Sequence, residues 1–467
     1  MMLQKLARLG VLAGIGMVMA LTAGFSSSAL ADDQLETLLD VYNLAREADP
    51  AVRGQDFEVD ALREDRRESL GGLLPQLDLS GELTRVNRDQ VSAGFAGEEE
   101  DERYFTREQY GVNLIQPLFD LPAWYEYQRS GANLDVGEAE LEAQRQSLIG
   151  RVLEAYLAVL SAQSGVSLAA SELEAVEASF RQIEGMYEEG MASITDMEDV
   201  RARRDSARAA VIRAEGDLEV ARERLSELTG EQHGVLATLS AEAALPGLER
   251  HELDQWVQSA LEFNPQVVAA RLRVESLGYE ARATRAQRFP RVEMIAGYSR
   301  LDELDGTVYG RDYEDKSVGV RVSVPLYEGG RIGARTRSAE NRRSREREAL
   351  EETVRAVRAD ARAAFQSLLS GRSQLKAMEQ SVRSGERRVE AMEAGVEEGT
   401  RPVVDLLDAQ RDLFETRREL AEARYDYVVN VIELRRAGGR LSADDVVELN
   451  ALFDAPVDLP DLTFDQP

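Results

Sequence analysis

Residues Tyr110–Asp120 read YGVNLIQPLFD, and Val318–Glu328 read VGVRVSVPLYE. In the second run Val318, Val320, Val322 and Val324 fall on one side of an extended chain, with Gly319, Arg321 and Ser323 on the other. Tyr110, Val112 and Leu114 alternate in the same way with Gly111 and Asn113. Both runs carry a proline at the same place, Pro117 and Pro325. Working outward, the likeness continues. LPQLDLSGELT around Pro75 has its counterpart in PRVEMIAGYSR from Pro290, and EEGMASITD (Glu188–Asp196) in EEGTRPVVD (Glu397–Asp405). Leu38–Pro50 and Leu253–Pro265 each have apolar residues at helical spacing and end in Asp49-Pro50 and Asn264-Pro265. All these pairs lie 208–215 positions apart, so the chain reads as an internal duplication. Each half is expected to run helix, strand, loop, strand, long helix, break, helix. The halves are residues 32–229 and 253–437, with a linker at 230–252 and a C-terminal segment and flexible tail at 438–467.

Four strands are expected, at 76–86, 109–119, 290–301 and 316–327. Each is about ten residues, close to the 9–11 that cross a bilayer. Aromatic residues cluster at their ends, including Tyr104, Phe105, Trp124, Tyr125, Phe289, Tyr309, Tyr313 and Tyr327, as in interfacial girdles. Alternation alone fits two soluble hairpins on a helical core equally well. Asp89–Glu108 and Asp302–Asp315, which join the strands, are polar and acidic and are expected to be loops in water.

The N-terminus favours export. Lys5 and Arg8 precede an apolar run from Leu9 to Phe25, and Ala29-Leu30-Ala31 follows. That is the layout of a signal peptide, residues 1–31. No later segment approaches the ~18 apolar residues of a spanning helix, so insertion in a membrane falls to strands.

From Pro122 to Glu188, and again from Arg331 to Glu398, the chain has no proline. Leu173, Val176, Phe180 and Ile183 in one stretch, and Val354, Val357, Ala361, Ala364 and Leu368 in the other, recur at the spacing of a coiled-coil seam. Some 65 helical residues extend ~100 Å, too long for a globular domain. A rod or scaffold of antiparallel coiled coils, or a periplasmic adaptor, would explain the helices but not the strands. The fold class expected is therefore a mixed α+β membrane protein with a long antiparallel coiled-coil helical barrel. Four strands cannot close a barrel, and lipid forbids open edges, so closure requires several copies. Two copies would give eight strands and three would give twelve.

Composition removes other classes. The chain holds 86 acidic and 56 basic residues, net −30, with two histidines and no cysteine. Such acidity repels nucleic acid. The missing cysteine excludes disulfides, thiolate metal sites and a cysteine-linked lipid. His233 and His251 lack acidic partners at ligand spacing and read as surface or packing residues. Gly329-Gly330 followed by Gly333 lacks the Lys-Ser/Thr of a phosphate loop. No catalytic residue and no cofactor is expected. The acidity is spread along the helices, which suits a saline setting where screening relieves self-repulsion.

LLPQL (Leu73–Leu77), LYEGG (Leu326–Gly330), AMEAG (Ala391–Gly395) and GTRPVVDLLDA (Gly399–Ala409) resemble the TolC-like outer-membrane efflux proteins, and the likeness runs from about Leu35 to Phe453. It implies a homotrimer with one twelve-stranded barrel in outer-membrane lipid, a periplasmic helical barrel and a belt of smaller elements around it. The belt would fall at Thr229–Glu252 and after Gly438. It further implies a periplasmic adaptor and an inner-membrane transporter of RND, ABC or MFS type as partners. The cargo would be small molecules or, in a dedicated type I system, proteins.

Asp405 and Asp408, three apart, share a helix face. The resemblance places them at a narrow periplasmic entrance, where rings of carboxylates would attract cations and raise one another's proton affinity. A solvated helix face is the plainer alternative. Arg401 is implied to latch onto Thr195 and Asp196, residues that helix N-capping would also explain. Val396 stands where the family has a tyrosine, so a second latch bond is missing. Gly190 and Gly399 are expected to turn the chain at the helix tips. The tip from Val396 to Pro402, with Gly399 and Thr400, is implied to dock the adaptor.

Overall fold

The computed structural model describes residues 35–94, 97–239, 252–304, 313–398 and 400–455. The expected signal peptide, the greater part of the linker with His251, Gly399 and the tail beyond 455 lie outside the described residues.

Two short helices, not one, precede each pair of strands. α1 (Leu38–Ala48) and α2 (Pro50–Gly71) lead into β1 (Gln76–Gly94) and β2 (Gly97–Phe119). The second helix exists because the proline expected to end the first sits at the opening position of the next, where its missing N–H costs nothing. Asp49 caps that start by accepting from the Val52 amide at 2.8 Å, and buried as it is, it pairs with Arg151 at 3.0 Å. α3 (Leu121–Glu188) and α4 (Ile194–Thr229) follow, then the short β3 (Thr238–Leu239). The same order recurs in α5 (Leu253–Phe263), α6 (Pro265–Ala286), β4 (Arg291–Leu304), β5 (Tyr313–Ser323), α7 (Arg331–Glu397) and α8 (Val403–Ala437). Asn264 caps α6 as Asp49 caps α2. A small helix, α9 (Ala443–Asn450), and β6 (Phe453–Ala455) complete the chain.

The four long strands form one antiparallel sheet in the order β1-β2-β4-β5. The acidic stretch after Asp89 is not a loop. It continues the β1–β2 ladder through Asn87↔Tyr104 and Val91↔Glu100 to a tight turn at Gly94↔Gly97. Backbone pairing carries this hairpin, and it requires no buried side chains. The part of the second stretch at 305–312 lies outside the described residues.

Register aligns the side chains across the whole sheet. Leu79 faces Val112, Val112 faces Tyr298, and Leu77–Leu114–Ala296–Val318 form a parallel row. Met294–Val320 and Val292–Val322 extend the same face. Leu79 and Val318 are each 81% exposed. The other face carries Asp78, Ser80, Asn113, Ser299, Ser317 and Arg321, with Ile115 and Ile295 among them. A sheet in water buries its apolar face; this one displays it.

Below the sheet, α2, α3, α6 and α7 pack side by side in the order of the strands they adjoin, and α4 and α8 extend α3 and α7 as antiparallel hairpins. The largest core sits midway along α3, where α1, α4, α8 and α9 gather around Val152, Tyr156 and Leu160. Tyr156 donates to the Ala237 carbonyl at 2.6 Å and meets Phe453 edge-on at 5.6 Å. β3 pairs with β6 there, and Glu36 bridges Leu236, so the residues around Glu36, those around Phe453 and the segment after α4 form one belt. His233 is a buried packing residue, yet it has an acidic partner after all. Its Nδ1 lies 2.6 Å from Glu36, 197 positions away, and its Nε2 lies 2.7 Å from the Thr229 hydroxyl.

Candidate gate at the helical tips

The α3–α4 turn closes on itself. Gly190 adopts φ +74°, a left-handed conformation that disfavours any residue with a Cβ. Ser193, rather than Thr195 or Asp196, is the N-cap of α4. Its hydroxyl donates to Asp196 Oδ2 at 2.7 Å, its amide donates to the same oxygen at 3.0 Å, and the Asp196 amide donates back at 3.1 Å. Asp196 is thus the third-position partner of a capping box, and Thr195 is exposed in the first turn.

The α7–α8 turn is built differently. The Gly395 carbonyl accepts from the amides of Thr400 and Arg401 at 2.8 and 3.0 Å and from the Thr400 hydroxyl at 3.0 Å. A Cβ on Gly395 would stand 2.8 Å from Arg401 Cγ, so only glycine lets the arginine stem lie against the helix end. Pro402 opens α8 without a side-chain cap.

These turns place the charges. Within one chain Arg401 does not reach Thr195 or Asp196; it pairs with Asp405, one helical turn on, at 3.5 Å. The reason is local: positions i and i+4 share a face, and Asp196 is already engaged by Ser193. Asp408 is likewise compensated, bonded by Arg203 of α4 and approached by Arg411 at 3.7 Å. The chain of charges continues through Arg411–Asp412 and Arg388–Asp412, both 2.9 Å. The Arg411 hydrogen bond holds the Asp412 carboxyl below its usual range. Asp405 and Asp408 therefore form no bare acidic site, and no cluster of three metal-ligating side chains occurs among the described residues. Beneath the charges Leu407 packs on Phe180, Ile183, Met197 and Val200, which seats α8 against the α3–α4 tip. Burial pushes the nearby Glu172 carboxyl up, partly offset by Arg418, Arg203 and Arg411.

Sequence reading missed Arg203, Gly395 and Arg411. Arg203 lies 205 positions from Asp408, so no local spacing signals the pair. Gly395 stood at the end of AMEAG, but only the folded turn reveals what its missing side chain accommodates.

A long helical hairpin array bearing a sheet with its apolar face outward is the architecture of an outer-membrane duct. The outer membrane efflux protein family matches the chain twice, over residues 41–231 and 256–440. The chain belongs to that family, and it is an outer-membrane exit channel with a periplasmic extension. It is 31% identical over 419 residues to outer membrane protein TolC of Vibrio cholerae, covering 89% of this chain and 93% of that protein. It is 30% identical to alkaline protease secretion protein AprF of Pseudomonas aeruginosa, covering 89% and 87%. Among solved structures, the outer membrane protein VceC of Vibrio cholerae superposes with a TM-score of 0.73 at 17% identity, over 86% of this chain and 96% of that one.

Proposed function

We propose that three copies of this chain close one twelve-stranded barrel and a continuous helical tube, through which cargo leaves the periplasm. The observation that carries the reading is the sheet: a largely apolar face running across four strands, with β1 and β5 each unpaired on its outer side among the described residues. In lipid such edges must be joined. A β5-to-β1 contact between copies would repeat the antiparallel β2-to-β4 contact within one. Strand number favours a wide passage, because eight strands fill their own interior whereas twelve leave a lumen. The duct has no energy source of its own in this reading. An inner-membrane transporter supplies it, coupled through a periplasmic adaptor that docks at the tips around Gly190, Gly399, Thr400 and Pro402.

The tip pairs act as the gate: Arg203–Asp408 holds α8 against the α3–α4 hairpin and Arg401–Asp405 fixes the start of α8, until the adaptor displaces them. In the closed trimer Arg401 also reaches Thr195 or Asp196 of a neighbouring copy. Protein cargo is the second reading, supported by the likeness to the alkaline protease secretion protein. Outer-membrane fractionation followed by unheated electrophoresis tests the proposal. Heat-modifiable trimers with single-channel conductance support it, and soluble monomers refute it. Deleting the gene and assaying drug susceptibility beside protease release separates the two cargo classes.

A further inference from the structure

A groove follows the seam between α3 and α8, from the belt toward the tips. Thr238 stands at its belt end, Leu160 and Leu168 of α3 form one wall, and Arg417, Leu420 and Arg424 of α8 form the other. Ser164 and Tyr425 share a hydrogen bond of 3.1 Å across it. From Leu160 to Leu168 the groove is ~12 Å long, at 1.5 Å per helical residue. Its volume is about 370 Å³. A helix, ~10 Å across, is too wide for that space, whereas a few side chains of an extended segment fit. Arg417 and Arg424 are seven residues apart, on one face of α8, and rim the apolar floor. Arg417 gives an N–H to Glu386 at 2.8 Å, which leaves further donors on the same guanidinium. This lining suits an extended apolar segment that carries carboxylates.

The chain supplies such a segment at the groove's own end. β6 pairs with β3, and Ala455 stands opposite Thr238. Residues 456–467, which lie outside the described residues, therefore leave the belt beside the groove. They read PVDLPDLTFDQP, with three acids and no base. Pro456 and Pro460 oppose a helix and favour polyproline II, which has three residues per turn and rises ~3.1 Å per residue. At that period Asp458 and Asp461 fall on one edge, Leu459 and Leu462 on the next, and Val457 and Pro460 on the third. The two carboxylates are then ~9 Å apart. Arg424 and Arg417 are ~10 Å apart along α8, so the charges match in spacing as well as sign. Val457 to Asp461 covers ~12 Å, the length of the groove. Attachment at Ala455 holds the segment at an effective concentration of about millimolar, so weak contacts suffice to seat it.

We propose that residues 457–462 dock in the α3–α8 groove of their own chain, with Leu459 and Leu462 on its apolar floor, Asp458 toward Arg424 and Asp461 toward Arg417. The docked segment straps α8 to α3 between the belt and the tips. The inference depends neither on the trimer nor on the cargo.

The test uses the full-length protein, whose sequence has no cysteine, so engineered thiols stand alone. Ala421→Cys places one in the groove and Leu459→Cys one in the segment. Mild oxidation and peptide mapping should give a disulfide within one chain. Its yield should far exceed that of Leu459→Cys paired with the exposed Arg208→Cys on α4. Equal yields would overturn the proposal, as would a disulfide formed only between chains, which would seat a second copy's segment in the groove. With Ala421→Cys alone, deleting residues 456–467 should speed maleimide labelling severalfold. Unchanged labelling would overturn the proposal, because the groove would then be open or covered by something else. An exposed ion pair contributes up to about fivefold, so Asp458→Asn with Asp461→Asn should speed labelling roughly 2- to 30-fold. That effect should shrink as salt rises, and a double variant that labels like its parent would remove Asp458 and Asp461 from the contact. Should Ala421→Cys disturb the groove, Ser167→Cys on the facing wall must give the same results.

Discussion

The guanidinium of Arg203, on α4, bonds the carboxylate of Asp408, on α8, across the seam between the two helical hairpins. It ties together tips that also meet through Leu407 and its apolar neighbours. Both side chains remain more than a third exposed or nearly so, which limits the pair to roughly 0.2–1 kcal/mol. Contacts of that size suit the gate proposed above, which must open. Asp408→Asn and Arg203→Gln should each lower the melting temperature only slightly and should be non-additive in a double-mutant cycle. Each should raise passive conductance in planar bilayers. Unchanged conductance in both would remove the pair from the gate.

Arg401→Ser should likewise raise conductance, because it frees Asp405 and loosens the start of α8. Gly395→Ala tests the same turn from the other side. Its new Cβ would meet Arg401 Cγ at 2.8 Å, so the arginine stem must move. Overpacking of this kind costs ~1–3 kcal/mol. The expected outcome is a Gly395→Ala channel whose conductance resembles that of Arg401→Ser. A wild-type trace would mean that the turn does not position Arg401.

The sheet faces make opposite predictions for neighbouring residues. Leu79→Arg places a cation on the displayed apolar face, where it costs ~2–4 kcal/mol at the bilayer midplane. Ser80→Arg, one position on, lies on the polar face. Leu79→Arg should reduce heat-modifiable trimers in the outer membrane, and Ser80→Arg should leave their yield unchanged. Equal effects would overturn the assignment of faces.

In the belt, Tyr156→Phe keeps the edge-on contact with Phe453 but leaves the Ala237 carbonyl without its buried donor. Losing a partner in this way costs ~1–3 kcal/mol. A lower melting temperature is expected, with limited proteolysis opening the segment after α4 first. Chromatographic behaviour should not change.

Acid should loosen the belt at a defined place. Arg435 bonds Glu448 at 2.9 and 3.1 Å and holds its carboxyl below the usual range. A depressed carboxyl stabilises the fold above its unfolded value, near 4.3, and that contribution is lost as pH falls through the lower folded value. Glu448→Gln should therefore melt lower than wild type at neutral pH, and the difference should vanish in stronger acid. A difference independent of pH would show that the carboxylate charge plays no part.

The long helices were legible because their limits are chemical. Leu121–Glu188 and Arg331–Glu397 are proline-free beyond the first turn and end beside Gly190 and Gly399. The valine alternation of 318–324 likewise announced a strand. What escaped was whatever depends on backbone pairing or on distant neighbours. The hairpin beyond Asp89 has no apolar alternation to betray it, because a ladder in water needs none. Asp49-Pro50 reads as a stop or a start; in the fold it is both, ending α1 and opening α2 with Asp49 as its cap. At the tips, Asp405 and Asp408 were visible as acids three apart. Their cations, one local and one 205 positions away, decide what those acids do.

Both tip turns are complete within themselves, so opening the tube requires no helix to unravel. α8, at 35 residues, is a rod of ~52 Å from the belt to its tip. A tilt of about 5° at the belt end then carries Asp405 sideways by ~4–5 Å, more than the reach of any tip ion pair. In the proposed trimer the belt would accordingly serve as a fulcrum. Small repacking around Tyr156 and Arg435 would be amplified by lever length into the diameter of an aperture a full length of α8 away.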